Sequence, residues 1–166
     1  MEPFEGASTS AGIYAEPLTV GQVSNITIIA QNQMPLEKWS TVLIKVPETL
    51  SMEAGPINVK ISGVDLNSDP NVYVDLPSRE IWIRNFNTKY LQQLTQSYFY
   101  IHGLRNPSSS EPTAPFTLSF LTSTNHQIES TSPGQLRSQP AVFTNASLDI
   151  NFSEIALPSV FYTFTL

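Results

Sequence analysis

This sequence contains no cysteine and few charged residues. The absence of cysteine excludes a disulfide framework, a thiolate metal site and a cysteine nucleophile. Charged residues make up 13% of the 166 residues, against roughly 25% in an ordinary soluble domain. The net charge is −6, and the eight Lys and Arg residues are scattered. This argues against a nucleic-acid partner, because binding to phosphates needs clustered cations.

Long apolar runs are also absent. No stretch approaches the roughly 20 apolar residues of a membrane-spanning helix, so we expect no membrane span. The first eight residues lack a positively charged start and an apolar run, so we expect no signal peptide there. Neither His102 nor His126 adjoins a serine in a nucleophile elbow, and the two do not have helical metal spacing. We therefore predict a protein that is not an enzyme and has no cofactor.

Hydroxyl side chains take the place of charge on the predicted surface. The sequence contains 20 Ser and 15 Thr, together with many Asn and Gln. Thr and Ser suit the solvent face of β-strands, whereas exposed helices normally carry Glu, Lys and Arg. The composition therefore favours an all-β protein.

Apolar residues alternate in short segments separated by turns rich in proline, of which there are 13. This spacing predicts an all-β, antiparallel two-sheet β-sandwich, immunoglobulin-like or jelly-roll-like, with about eight to ten strands. Residues 123–140 are predicted to be a loop. The predicted strands are 26–30, 42–46, 57–61, 72–76, 80–86, 97–102, 116–120, 142–143, 148–152 and 160–166.

We predict three parts of the chain. Residues 1–12 form a flexible N-terminal arm, residues 13–154 form the sandwich, and residues 155–166 form a terminal strand. That strand is apolar at nearly every position, with Val160, Tyr162, Phe164 and Leu166 on one face. An open apolar edge promotes aggregation, so the strand must be covered. It either pairs inside its own sandwich or, by analogy with pilins, inserts into a groove of the next subunit.

Three Asn-X-Ser/Thr triplets are candidate N-glycosylation sites. They begin at Asn25, Asn145 and Asn151. A glycan coat would compensate for the low surface charge. Because the chain is rich in Asn, Ser and Thr, chance alone also supplies such triplets, so both interpretations stay open.

Oxygen-bearing side chains alternate from Asp65 through Asn67 to Asp69, as they do in calcium loops. Pro70 stands where an EF-hand needs glycine, and the bidentate glutamate is missing, which excludes an EF-hand. Two interpretations remain open: a calcium site completed by backbone carbonyls, or an ordinary Asx-rich turn.

Tyr98, Tyr100 and Trp82 lie on polar faces of predicted strands. They are candidates for an aromatic platform that stacks against a sugar ring, although such residues also form ordinary cross-strand pairs.

Three stretches together resemble the β-sandwich modules repeated in surface proteins of ciliates and other protists. They are residues 18–21 (LTVG), residues 42–47 (VLIKVP), and residues 101–107 (IHGLRNP) with 111–116 (EPTAPF). The resemblance implies an extracellular structural or adhesive module, and it supplies no catalytic residues.

The sequence therefore predicts an extracellular or cell-surface structural module that self-associates into a fibre or surface layer by β-strand addition. Its predicted partners are copies of itself, with N-linked glycans. The alternative is a carbohydrate-binding or adhesin domain.

Overall fold

The structure, a computed structural model, describes residues 11–141, 147–151 and 161–165. The described residues form eleven β-strands and no helix, which confirms the all-β prediction. The strands are β1 (Ala11–Glu16), β2 (Val23–Gln31), β3 (Thr41–Lys45), β4 (Asn58–Gly63), β5 (Asn71–Asp75), β6 (Glu80–Arg84), β7 (Gln96–Arg105), β8 (Phe116–Leu121), β9 (Gln127–Gly134), β10 (Ser147–Asn151) and β11 (Phe161–Thr165).

One layer is an antiparallel four-stranded sheet in the order β1-β2-β7-β4. Its strands bury alternate residues, as the period-two pattern predicts. In β2, Ile26 and Ile28 are buried, and in the neighbouring β7, Phe99 and Ile101 are buried. The residues between them therefore form the outer, solvent face of this sheet.

The second layer is an antiparallel five-stranded sheet in the order β5-β6-β3-β8-β9. Val42 and Ile44 of β3 are fully buried, and so are Ile81 and Ile83 of β6. Strand β8 is buried at nearly every position, and it pairs with β3 on one side and with β9 on the other.

The two sheets meet in an aromatic centre. Phe86, which follows β6, stacks on Phe99 of the four-stranded sheet with ring centroids 5.6 Å apart. It also packs at 6.0 Å against Phe120 of the five-stranded sheet. All three rings are buried, so the core joins the layers at this point and the two-sheet sandwich prediction is confirmed.

The predicted loop over residues 123–140 is wrong in its central part, because the structure contains β9 there. The strand is an edge strand that pairs only with β8 among the described strands. It contains Pro133 and mostly polar residues, with two irregularities in its register. A proline is tolerated on an edge strand because its missing N–H is not needed there. Because of its polar residues and its proline, the strand lacks the apolar alternation from which strands were predicted.

The C-terminal strands β10 and β11 form a separate antiparallel two-stranded sheet. Among the described strands, β11 pairs with β10 and with no strand of the two layers. Residues 142–146, 152–160 and 166 lie outside the described residues. The predicted strand 142–143 is therefore not described. Strand β1 begins at Ala11, inside the range predicted as a flexible arm.

A search of the described residues for a membrane-spanning helix finds none of sufficient length and hydropathy.

Candidate binding surfaces

Three tyrosines share the outer face of the four-stranded sheet, which we call the tyrosine face. The register places Tyr14 of β1 opposite Thr27, Thr27 opposite Tyr100, and Tyr100 opposite Lys60 of β4. Tyr98 lies two residues from Tyr100 on β7, and so on the same face. Tyr14 is 63% exposed, whereas Tyr98 and Tyr100 are half-buried.

A polar row borders the tyrosines. Asn25 of β2 stands opposite His102 of β7, and His102 stands opposite Asn58 of β4. The Nδ1 atom of His102 lies 2.7 Å from the Oδ1 atom of Asn25, so the neighbouring strands are linked by a side-chain hydrogen bond. The face thus combines aromatic rings with groups that donate and accept hydrogen bonds.

The hollow beside Tyr14 has a volume of about 300 Å³. The Tyr14 ring lies beside Gly12, where a Cβ atom would be in ordinary van der Waals contact with the ring's Cε2 atom at 3.8 Å. The hollow is lined by Ala11, Gly12, Tyr14, Ile29, Ala30, Gln31 and Gln96.

The predicted three-residue platform is not assembled, because Trp82 belongs to β6 in the other sheet. The Nε1 atom of Trp82 donates a hydrogen bond to the Glu80 carboxylate at 3.1 Å, and the same carboxylate pairs with Lys45 at 3.2 Å. Tyr14, and not Trp82, is the third aromatic residue on the face of Tyr98 and Tyr100. Its alternation with Ile13 could have signalled an outward position, but only strand pairing shows that β1 joins β2 and β7.

A second surface is the groove between the start of β4 and the end of β5, which we call the β4–β5 groove. It has a volume of about 470 Å³. Leu76, which lines it, is 46% exposed. Its lining consists of Met52, Glu53, Gly55, Pro56, Ile57, Val74 and Leu76.

Two local features shape the β4–β5 groove. The Arg79 guanidinium donates hydrogen bonds to the carbonyl oxygens of Val46 at 3.2 Å, of Pro47 at 2.7 Å, and of Leu50. These bonds hold the chain that leads into the lining. Gly103, with φ of +99°, allows the Pro56 carbonyl to approach so closely that a Cβ atom there would lie 2.5 Å from its oxygen.

The candidate calcium residues are engaged with protein groups. Asp65 forms a salt bridge with Lys89 at 2.9 Å, and its hydrogen bond and charge raise the pKa of Lys89. The Asn67 carboxamide oxygen accepts the N–H of Asp69 at 3.1 Å, as in an Asx turn. The described residues contain no group of three or more His, Cys, Asp or Glu that could hold a metal ion. Calcium binding at Asp65, Asn67 and Asp69 stays a prediction.

The three glycosylation candidates differ in position. Asn25 is exposed on β2, with its side chain against His102. Asn151 is the last residue of β10, and Asn145 lies outside the described residues. Glycosylation at all three stays a prediction.

The terminal strand lies partly within the described residues. The register places Tyr162 opposite Ile150 and Phe164 opposite Leu148. Opposed residues and their i+2 neighbours share one face of a β-ladder, so these four residues share a face. Val160 and Leu166, predicted to continue that face, lie outside the described residues.

No protein-family model and no curated protein sequence matches this chain. Solved structures with similarity include the collagen-binding domain from a Staphylococcus aureus adhesin, at 10% identity and a TM-score of 0.43, covering 79% of this chain and 96% of that one. The RrgA Jo.In complex matches at 10% identity and a TM-score of 0.48, covering 78% and 79%. The pilus backbone RrgB from Streptococcus pneumoniae matches at 8% identity and a TM-score of 0.38, covering 89% of this chain and 53% of that one.

Scores and identities this low carry no argument about function. The resemblance to ciliate and protist modules finds no support among these matches, two of which are named as proteins of bacteria.

Proposed function

We propose that this chain is an extracellular, non-enzymatic structural module that associates with copies of itself by β-strand addition. The observation that carries the proposal is the β4–β5 groove, where two edge strands border an apolar hollow. An extracellular location is compatible with a sequence that is rich in Ser and Thr and low in charge.

The backbone of the groove offers hydrogen bonds to an added strand. Among the described strands, β4 pairs only with β7, and β5 pairs only with β6. The outer N–H and C=O groups of such edges are a template for another strand. Each hydrogen bond formed in this way contributes about 1 kcal/mol net.

The side chains of the groove favour an apolar donor. Ile57 and Val74 are half-buried and Leu76 is 46% exposed. Burying a Leu side chain completely contributes about 1.5–3 kcal/mol, so covering the exposed half of Leu76 contributes about 1 kcal/mol. A donor strand with alternating apolar residues would supply this cover and complete the core at its open side.

The donor we propose is the C-terminal strand of a second copy. Tyr162 and Phe164 alternate on β11 and share a face with Ile150 and Leu148. A two-stranded hairpin has marginal stability alone and gains from joining a larger sheet. Among the described strands of one chain, β11 pairs with β10 and not with β4 or β5; the donor in this proposal is therefore the strand of a neighbouring copy.

Association of this kind is head-to-tail, because donor and groove are different parts of the surface. Head-to-tail contacts form a ring when the rotation between successive subunits closes, and an open filament when it does not. We propose the open filament. The result would be a fibre or surface layer.

The test is sedimentation velocity of the full chain over a range of concentrations, with electron microscopy of the concentrated sample. We expect oligomers that grow with concentration and appear as filaments. A chain lacking residues 155–166 should be monomeric, and its circular dichroism spectrum should change by no more than the loss of the β10–β11 pair. If the full chain is monomeric at every concentration, the proposal is wrong; if the shortened chain associates equally well, the donor is another segment.

A further inference from the structure

We propose that the tyrosine face binds neutral carbohydrate, with its primary subsite in the hollow beside Tyr14. This surface is distinct from the β4–β5 groove, and the proposal does not depend on self-association. It retains Tyr98 and Tyr100 of the predicted platform and replaces Trp82 with Tyr14.

The first step of the argument is the aromatic wall of the hollow. Tyr14 is the most exposed tyrosine among the described residues, at 63%. Its ring lies beside Gly12: a Cβ atom there would be 3.8 Å from the Cε2 atom and 3.9 Å from the hydroxyl oxygen, which is ordinary van der Waals contact. An aromatic ring in such a position offers a flat apolar surface to the C–H groups of a sugar, while its hydroxyl remains able to bind a polar group.

The second step concerns the hydrogen-bonding groups in the lining. Gln31 and Gln96 both line the hollow. The Gln31 amide nitrogen donates to the carbonyl oxygen of Leu94 at 2.8 Å, which orients the side chain. Carboxamides both donate and accept hydrogen bonds, and sugar hydroxyls do the same, so the two chemistries are complementary.

The third step is the absence of charge. None of the residues that line the hollow is acidic or basic. An ionic ligand would lose hydration without gaining a counter-charge, which is costly. A neutral sugar loses no such stabilisation. The volume of about 300 Å³ is at the lower end of small-molecule sites, which suits one or two sugar rings rather than a large ligand.

The fourth step extends the site across the sheet. Tyr98 stands opposite Ile29, which lines the hollow, and Tyr100 follows on the same face of β7. Residues i and i+2 of a strand are separated by roughly 7 Å. The tyrosines thus form a path that leads away from the hollow, and a short oligosaccharide can contact them in succession.

The experiment is a glycan array probed with the full chain, carrying neutral cello-, manno-, galacto- and chito-oligosaccharides beside sialylated and sulfated ones. Hits are then titrated by isothermal calorimetry with three proteins: the wild type, Tyr14→Ala and Tyr73→Ala. Tyr73 is the matched control because it is 55% exposed but belongs to β5 in the other sheet. Thermal melting establishes that both variants remain folded.

We expect binding to neutral oligosaccharides, weakened about tenfold or more in Tyr14→Ala and unchanged in Tyr73→Ala. A Gln96→Ala variant should also weaken binding, because it removes one amide from the lining. Three outcomes would overturn the proposal: no neutral glycan bound by the wild type, binding confined to acidic glycans, or equal losses in the two tyrosine variants. Each outcome is independent of whether the chain forms oligomers.

Discussion

The two long sides of the sandwich are closed to different degrees. At one side, β1 of the four-stranded sheet lies against β9 of the five-stranded sheet, and the Ile13 side chain would be 3.5 Å from a Cβ atom at Gly134. The Glu129 carboxylate on β9 also accepts the N–H groups of Gln33 at 3.0 Å and Met34 at 3.1 Å, just beyond β2. Side-chain packing and hydrogen bonds therefore join the sheets on this side.

The other side, between β4 and β5, is joined by connections that cross between the sheets at both ends. At one end, in the connection 64–70, the Asn67 N–H donates to the Phe86 carbonyl at 2.9 Å; at the other, Ser51 exchanges backbone hydrogen bonds with Arg105 of β7 at 3.0 and 2.9 Å. At the other end Leu76 stays 46% exposed beside the β4–β5 groove. The same sandwich therefore has one side closed by packing of β1 against β9 and one side that keeps an apolar groove, where we propose that a strand is added.

The largest expected difference between the two sides concerns their glycines. Gly103 is the extra residue of a bulge in β7, with φ of +99°, and Gly134 ends β9 with φ of +115°. Both conformations disfavour alanine, but only at Gly103 would the new Cβ atom also collide with a backbone oxygen, that of Pro56. We expect Gly103→Ala to lower the free energy of unfolding by about 3 kcal/mol or more and Gly134→Ala by about 1–2 kcal/mol.

Denaturant unfolding followed by tryptophan fluorescence measures both losses. Equal losses would show that the β7 backbone yields to the collision, and that Gly103 does not control the position of Pro56 beside the groove.

An intermediate effect is expected on self-association. Leu76→Lys places a charge in the β4–β5 groove, where burial would remove its hydration. We expect the dissociation constant of the oligomer to rise about tenfold or more, since the variant loses apolar contact as well. Leu94→Lys is the matched control, because Leu94 is 52% exposed but lies away from the groove.

Sedimentation velocity of both variants provides the measurement. If the Leu94 variant dissociates as much as the Leu76 variant, net charge rather than the groove controls association.

The smallest expected effect is a pH dependence of stability that arises from Glu129 on the closed side. Burial raises the pKa of Glu129, while hydrogen bonds from the backbone of Gln33 and Met34 oppose the rise. Because the folded state then binds this proton more tightly than the unfolded state, the contribution to stability is present below the ordinary carboxyl pKa. It is lost as the pH rises through the raised value.

Glu129→Gln should remove this contribution. Between about pH 4 and pH 7, the stability of the wild type relative to the variant should therefore fall. Thermal melts of both proteins across that range test the expectation. A difference in stability that does not vary with pH would contradict it.

Most strands could be predicted because their signal is local. Val42 and Ile44 alternate with less buried neighbours, and the structure has β3 there; Phe116, Leu118 and Phe120 likewise predict β8. Strand β9 was not predicted, because its polar residues and its proline do not show that alternation. Its existence depends on pairing with β8, which is a contact between separate parts of the chain.

The candidate sites were less predictable for the same reason. Tyr98 and Tyr100 are two residues apart, so their shared face follows from the period of a strand. Tyr14 joins them only through β2, and Trp82 is separated from them because β6 belongs to the other sheet. Neither relation is expressed in the spacing of residues along the chain.

The sequence by itself determined the class of structure: its short segments of alternating apolar residues, its abundant hydroxyl groups and the prolines between the segments favour short strands. Only the tertiary structure decided which strands became neighbours, which side of the sandwich closed, and which rings met on its surface. The physical reason is that alternation is a property of neighbouring residues, whereas sheet order depends on the packing of side chains from distant segments into one common core.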